Sequence, residues 1–255
     1  MLRRLFGYER TARLGELPAG VVVYAVGDIH GRFDLLQDLL ARIVDDAGRH
    51  VDIRRNLIFL GDYIARGPES RSVIEALLQD PLPGFTTIRL MGNHEEAFLA
   101  FLDGQTDGLD WLAYGGLETL MSYGVSLRDL PRTEDAVGAL RRSVAGSVPG
   151  SHVELLRRCA LYQSVGDYLF VHAGVRPGVP LEKQVPADLL WIRDDFLRSK
   201  MPLPEQVVVH GHTICDFPQD RPHRINIDTG AFASGRLTSL VLRGRDRRFI
   251  STTDR

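Results

Sequence analysis

The chain has 255 residues, 44% of them hydrophobic and 25% charged, with a net charge of -2 at neutral pH. This length and balance allow a large buried core. They exclude the broad basic field of a dedicated nucleic-acid binder, so no nucleic acid polymer is expected as a partner. The two cysteines, Cys159 and Cys215, make no CxxC pair and no disulfide framework, which fits a reducing compartment. Met1–Arg13 carries Arg3, Arg4, Arg10 and Arg13 but lacks the apolar core of a signal peptide, and no apolar run is long enough to span a bilayer. A cytoplasmic protein without membrane contact is expected.

Val21–Val26 is a valine-rich apolar run ending at Gly27 and predicts a buried strand. Phe33, Leu36, Leu39, Leu40 and Ile43 recur at helical spacing and predict a helix over Phe33–Val44. Leu57–Leu60 reads as a second buried strand. Pro68 and Glu69 suit the start of a helix whose apolar face is Val73, Ile74, Leu77 and Leu78. Thr86–Leu90 reads as a third strand, and a helix from Asn93 follows through Phe98, Leu99, Phe101 and Leu102. This alternation is the pattern of a layered α/β fold. Residues 104–160 contain no convincing strand and predict a helical insert, in which Trp111, Leu112, Leu117 and Leu120 form a core stripe. Strands return at Tyr168–Val171, Val207–Val209, Arg224–Ile227, Leu237–Leu242 and Arg247–Ser251, the last two forming a hairpin around Gly244.

Polar residues gather where the apolar runs end. Gly27-Asp28-Ile29-His30-Gly31 follows the first strand, Gly61-Asp62-Tyr63-Ile64-Ala65-Arg66-Gly67 the second, and Gly92-Asn93-His94-Glu95 the third. Val171-His172-Ala173-Gly174 and His210-Gly211-His212-Thr213 come later. Open α/β sheets bind ligands in such loops. Imidazole and carboxylate donors suit borderline divalent cations better than calcium. Taken singly, Asp28 and Asp62 would read as turn or cap residues, Asn93 as a helix cap, and His30 or His172 as satisfied core histidines. His210 is balanced between a hydrogen-bonding partner of a ligand and a packing residue. Glu95 reads as helix-start support and Asp228 as a turn residue, while His50, His152 and His223 are expected on the surface.

The ordered set GDIHG, GDxxxRG, GNHE, HAG and HGHT resembles the calcineurin-like metallophosphoesterases. Within them it is most similar to the bacterial serine/threonine phosphatases of the phosphoprotein phosphatase family. The match runs from Tyr24 to Leu242, and LLWIRDDF and INIDTGAFASGRLTSL extend it. The resemblance implies a central β-sandwich flanked by helices, forming one domain over residues 1–255 with the helical insert at about 104–160. It implies two divalent metal ions, manganese first, with iron, zinc, nickel or cobalt as alternatives. Asp28 and His30 would bind the first metal, Asp62 would bridge, and Asn93, His172 and His212 would bind the second. Arg66 and Arg193, with Asn93 and His94, would hold the phosphate, and His94 would protonate the leaving oxygen or stabilise its charge. The implied reaction is hydrolysis of phosphate monoesters on phosphorylated proteins (serine or threonine, and tyrosine) or on small esters, by direct attack of a metal-bridging hydroxide.

One position departs from the phosphatase pattern GDxxDRG: Ala65 stands where an aspartate would orient and charge the catalytic histidine, here His94. The form GDYIARGP also resembles the symmetrical bis(nucleosyl)-tetraphosphatases, whose nucleotide leaving group needs little protonation. A weakened phosphatase, a dinucleoside tetraphosphate hydrolase and a metal-binding pseudoenzyme are the three readings, in that order.

Overall fold

The valine-rich runs become the centre of two five-stranded mixed sheets packed face to face, seen in a computed structural model. The structure describes residues 15–49, 53–126, 128, 135–200, 203 and 205–253. The arginines of Met1–Arg13 and His50 lie outside the described residues. The first half runs β1 (Val21–Val26), α1 (Phe33–Ala47), β2 (Arg54–Phe59), α2 (Ser70–Leu78), β3 (Phe85–Arg89), α3 (Asn93–Leu102). A helical stretch follows: α4 (Leu109–Trp111), a π-helical turn (Leu112–Gly116), α5 (Leu117–Ser122), α6 (Ala136–Ser147) and α7 (Gly150–Arg157). The second half adds β4 (Tyr162–Val165), β5 (Tyr168–Val171), α8 (Pro186–Trp191), α9 (Asp194–Leu197), β6 (Val207–His210) and β7 (Gln219–Asp220). It ends with β8 (Arg224–Asn226), α10 (Ala231–Ser234), β9 (Thr238–Arg243) and β10 (Asp246–Ser251). No helix among the described residues is long and apolar enough to cross a membrane.

The first sheet has the order β10-β9-β1-β2-β3, with β1, β2 and β3 parallel, and the second β4-β5-β6-β8-β7, with β5, β6 and β8 parallel. Strand parity sorts the side chains. Val21, Val23, Ala25, Ile58 and Leu60 face the second sheet, where they meet Phe170, Val209, Ile225 and Ile227. Val22, Tyr24, Val26, Leu57 and Phe59 face α1 and α2 through Leu36, Leu39, Ile43, Val73 and Leu77. The outer face of the second sheet, Leu169, Val171 and Val208, is covered by Leu189, Ile192 and Phe196 from α8 and α9. Burial on both faces explains why the parallel strands read as unbroken apolar runs rather than alternating ones. It also aligns the carboxyl ends of β1, β2, β5 and β6 toward one rim, where the polar loops emerge.

Two strands carried no readable signal. β4 (YQSV) alternates between exposed and half-buried positions at a sheet edge, and β7 is two residues long at the other edge. Neither needs a continuous apolar run. Within the helical stretch, Trp111 and Leu120 join the core and Leu112 packs against it, but Leu117 is 37% exposed and lies outside the expected stripe.

His152 is not on the surface: it is buried on α7, and His223 is half-buried. Nε2 of His152 donates to Glu75 on α2 at 3.0 Å, so Nδ1 of the neutral ring accepts from the Tyr123 hydroxyl at 2.8 Å. This chain ties α7 to the α2 layer. His152→Leu keeps the volume but leaves the buried Tyr123 hydroxyl unpaired, so unfolding stability should fall by about 1–3 kcal/mol. Denaturant titration measures this, and an unchanged midpoint would mean the chain contributes nothing net.

Candidate metal centre

The loop after β2 is built against the start of α3 by one carboxylate. Glu95 accepts four backbone N–H groups: Asp62 and Gly92 on Oε2 (2.8 and 3.1 Å), and Tyr63 and Ile64 on Oε1 (2.9 and 3.1 Å). Its bond to Gly92 is one half of a helix capping box. Glu95 therefore has the supporting part expected of it. Burial and the nearby Asp62 push its carboxyl up to about 8, against the three loop amides. With two donors on each oxygen, no lone pair is left for a proton, and we read the group as ionised. Gly92 must be glycine, because a Cβ there would run into the Asp62 backbone and carboxylate.

Asp62 is common to two buried clusters whose potential ligand atoms lie within 4.8 Å of one another: His30–Asp62–His94 and Asp62–His172–His212. Its Oδ2 lies 3.4 Å from His30 Nε2 and its Oδ1 3.5 Å from His172 Nε2. Carbonyls fix the rings, since His30 Nδ1 donates to Ile64 O and His172 Nδ1 to Leu60 O, both at 2.9 Å. Each neutral ring then aims its Nε2 lone pair inward. On the second side, His172 Nε2 and His212 Nδ1 sit 2.9 and 2.8 Å from Asn93 Oδ1. Asn93 begins α3, so it serves the helix start and the cluster together.

Asp28 belongs to neither cluster. Its Oδ2 accepts the His212 amide at 3.0 Å, while its buried Oδ1 lies against Gly211 without a partner among the described residues. Burial, then the charges of Asp228 and Asp62, raise its carboxyl well above the usual range. Burial lowers His30 to about 3 and His212 to about 2, and it lowers His172 as well, so the rings are neutral, as metal ligands must be. At Asp62 burial opposes the charge, and the neutral rings around it bring none of their own to offset that. The His172 and Asn93 lone pairs converge, and Asp28 and Asp62 are buried with Asp228 beside them. Such a set fits divalent cations, which would supply the missing positive charge.

The sequence model of the calcineurin-like phosphoesterases matches residues 21–227. The chain belongs to this family. The Escherichia coli (strain K12) protein named serine/threonine-protein phosphatase 2 is 31% identical over 226 residues, covering 85% of this chain and 90% of its own. The Bacillus mycoides (strain KBAB4) protein named bis(5'-nucleosyl)-tetraphosphatase PrpE, of the asymmetrical kind, is 27% identical over 235 residues, covering 84% and 88%. A solved structure described as a candidate diadenosine tetraphosphatase has the same fold, with a TM-score of 0.61 at 20% identity over 92% of this chain and 98% of its own. The chain is thus a metallophosphoesterase, and its fold is the one its motifs resemble.

The remaining groups expected at the phosphoesterase centre gather over the two clusters. Arg66 and Arg193 both bear electrostatically on His94 and His172. Arg193 Nη1 donates to His212 O at 3.1 Å and Thr213 Oγ1 at 3.2 Å. Arg66 lies 4.8 Å above the Phe232 ring, and Phe232 packs edge-on against His30 at 5.5 Å. The His94 ring is 4.9 Å from that of His30, and its backbone N–H donates to Asp62 Oδ1 at 3.1 Å. Its Nδ1 is buried and has no partner among the described residues. Burial lowers the His94 pKa, and both arginines act in the same direction against Asp62.

His210 packs its ring edge-on against Phe196 at 4.9 Å while its Nδ1 donates to Gly211 O, next to His212, at 3.0 Å, and it stands in neither cluster. Asp228 is a turn residue, its Oδ1 accepting from Gly230 N at 2.9 Å, yet its charge reaches Asp28. Phe232 and Trp191, the latter 6.4 Å from His212, were not anticipated. Both sit inside the stretches AFASG and LLWIR, which stood out as motifs without pointing to these rings. Replacing Glu95 by Gln sets an amide NH2 against backbone donors. We expect a loss of several kcal/mol of stability, of the order seen when a buried charge loses its partners. Metal affinity should fall with it, and melting curves with and without added Mn measure both. A variant with native melting and native Mn response would exclude Glu95 as the support of the Asp62 loop.

Proposed function

We propose that the chain is a manganese-dependent phosphatase that hydrolyses phosphate monoesters, including those on serine, threonine and tyrosine of phosphorylated proteins. The observation that carries this reading is Asp62, shared between two buried ligand clusters with two arginines bearing on both. Asp28, His30 and Asp62 would hold one metal, and Asp62, Asn93, His172 and His212 the other; iron, zinc, nickel and cobalt suit the same donors. When bound, such a pair supplies a water of lowered pKa and polarises the phosphoryl group. Arg66 and Arg193 grip the phosphate oxygens with their planar forks, beside Asn93. His94 gives a proton to the leaving oxygen. Because ligands come from loops of both sheets, we read the chain as one domain, and the two free cysteines support a cytoplasmic location.

Ala65 favours a second reading, hydrolysis of dinucleoside tetraphosphates, which is also supported by the PrpE relatives. No carboxylate from position 65 reaches His94, whose proton affinity is already lowered. A nucleotide leaving group tolerates this better than an alkoxide does. Those relatives are named for the asymmetrical kind, whereas the GDYIARGP form resembles the symmetrical kind, and the second reading covers both.

The test is turnover of metal-stripped and Mn-reconstituted protein on a phosphopeptide, an aryl phosphate and a dinucleoside tetraphosphate, with Ala65→Asp alongside. Stripping should abolish turnover and Mn should restore it. For a phosphatase, Ala65→Asp should raise kcat on the phosphopeptide, with a ceiling of about a hundred- to ten-thousand-fold, and far less on the aryl ester. Equal responses of the two esters would rule out His94 as a tuned general acid. Tetraphosphate turnover well above that of both esters, unimproved by Ala65→Asp, would establish the second reading instead.

A further inference from the structure

The helical stretch between α3 and β4 reaches the proposed phosphate loop at two backbone atoms. Ala65 and Arg66 are consecutive and both left-handed, with φ of 71° and 68°. Side-chain-bearing residues adopt that region reluctantly and persist there only when their surroundings hold them. Two groups of the helical stretch do so. The Arg66 N–H donates to the Gly115 carbonyl at 2.9 Å, and the Ala65 N–H to Thr119 Oγ1 at 2.9 Å, with Ser70 Oγ at 3.2 Å.

Gly115 lies in the π-helical turn, where Tyr114 and Gly115 leave helical geometry and Gly115 takes φ 104°. That break turns the carbonyl out toward Arg66. A Cβ at Gly115 would stand 2.6 Å from the Arg66 nitrogen, 2.7 Å from its Cγ and 2.9 Å from its Cα. The residue is therefore glycine for two reasons, its backbone angle and the close approach. Thr119, fully buried on α5, supplies the hydroxyl that Ala65 reaches.

We infer that Gly115 and Thr119 are positioning residues for Arg66: they clamp the strained backbone that aims its guanidinium, over Phe232, at the phosphate. The helical stretch is then part of the phosphate grip rather than a cover on the fold. This rests on the proposed role of Arg66, and the experiment separates the two.

Arg66→Ala, Gly115→Ala, Thr119→Val and Thr119→Ser are compared with the parent protein, all loaded with Mn. The readouts are inhibition by inorganic phosphate, kcat and KM on an aryl phosphate, metal content, and the rise in melting temperature caused by inorganic phosphate. Arg66→Ala should weaken phosphate inhibition about ten- to a hundred-fold, the effect of losing charged hydrogen bonds. Thr119→Val, isosteric but without the hydroxyl, should weaken it roughly three- to ten-fold, raise KM, and shrink the phosphate-induced melting shift, with metal content unchanged. Thr119→Ser should restore the parent values. Gly115→Ala should act in the same direction more strongly; if it does not fold, the two Thr119 variants carry the test. If Thr119→Val lowers the melting temperature but leaves phosphate inhibition and KM at parent values, the contacts only pack the helices and the inference is overturned. If Arg66→Ala itself leaves phosphate inhibition unchanged, Arg66 is not on the phosphate, and the functional reading of that residue falls as well.

Discussion

The centre depends on the carboxylate of Glu95. Four amides from two loops converge on its two oxygens, so the loop after β2 and the entry to α3 cannot move independently. Asp62 lies in the first of these loops, and Asn93 and His94 open the helix that follows the second. Each such bond nets only modest stability in a solvated setting, but a buried ionised acceptor with all its sites filled is costly to disrupt. The amide groups are also what make an anion tolerable in the interior. Removing them would leave a buried carboxylate beside a second one, Asp62. The geometry of the proposed metal ligands thus rests on a residue that offers them no ligand atom of its own.

Strain is concentrated at the same place. Among the described residues, the non-glycine positions with positive φ are His30, Asp62, Ala65, Arg66 and His212, and all belong to the proposed metal and phosphate loops. At a cost of about 1–3 kcal/mol each, such backbone survives where the surroundings over-determine it. The restraints are visible one by one. The His30 amide donates to the Asp62 carbonyl at 2.8 Å, the His212 amide to Asp28 Oδ2 at 3.0 Å, and the Asp62 amide to Glu95 at 2.8 Å. The rigid sandwich behind the loops, closed by Val23, Ala25, Phe170 and Val209, is what the restraints are anchored to.

What could be read from the sequence followed from how locally each feature is encoded. The buried parallel strands and the amphipathic α1 and α2 carry their own periodicity, and their limits fall within a few residues of expectation. The candidate ligands were legible because each follows such a strand in a fixed order. β4 and β7, at sheet edges, have no apolar demand to leave a trace. His152 was misread because a lone histidine on a helix does not announce its partners, and Tyr123 and Glu75 come from other segments. The same holds for Phe232, which meets His30 and Arg66 only after the chain has crossed both sheets. Contacts of that kind are tertiary facts, and no window of sequence contains them.

Ala65 draws these strands together. In the phosphatase pattern an aspartate at this position acts on the catalytic histidine, raising its proton affinity. Here the His94 Nδ1 is buried and has no partner among the described residues, and burial with two arginines weakens its hold on a proton. Proton donation to the leaving oxygen is therefore the step least supported by the protein. Charge neutralisation is the one best supported, since Arg66 and Arg193 bear on the centre and the Arg66 backbone is tied to Gly115. On the proposed reading, a centre so weighted would favour leaving groups that depart as stable anions. In the proposed reaction it would stabilise charge on the phosphoryl oxygens more than it would assist the oxygen that leaves. Substrate preference in this chain would then follow the basicity of the leaving group, with the shape of the group attached to the phosphate acting as a secondary filter.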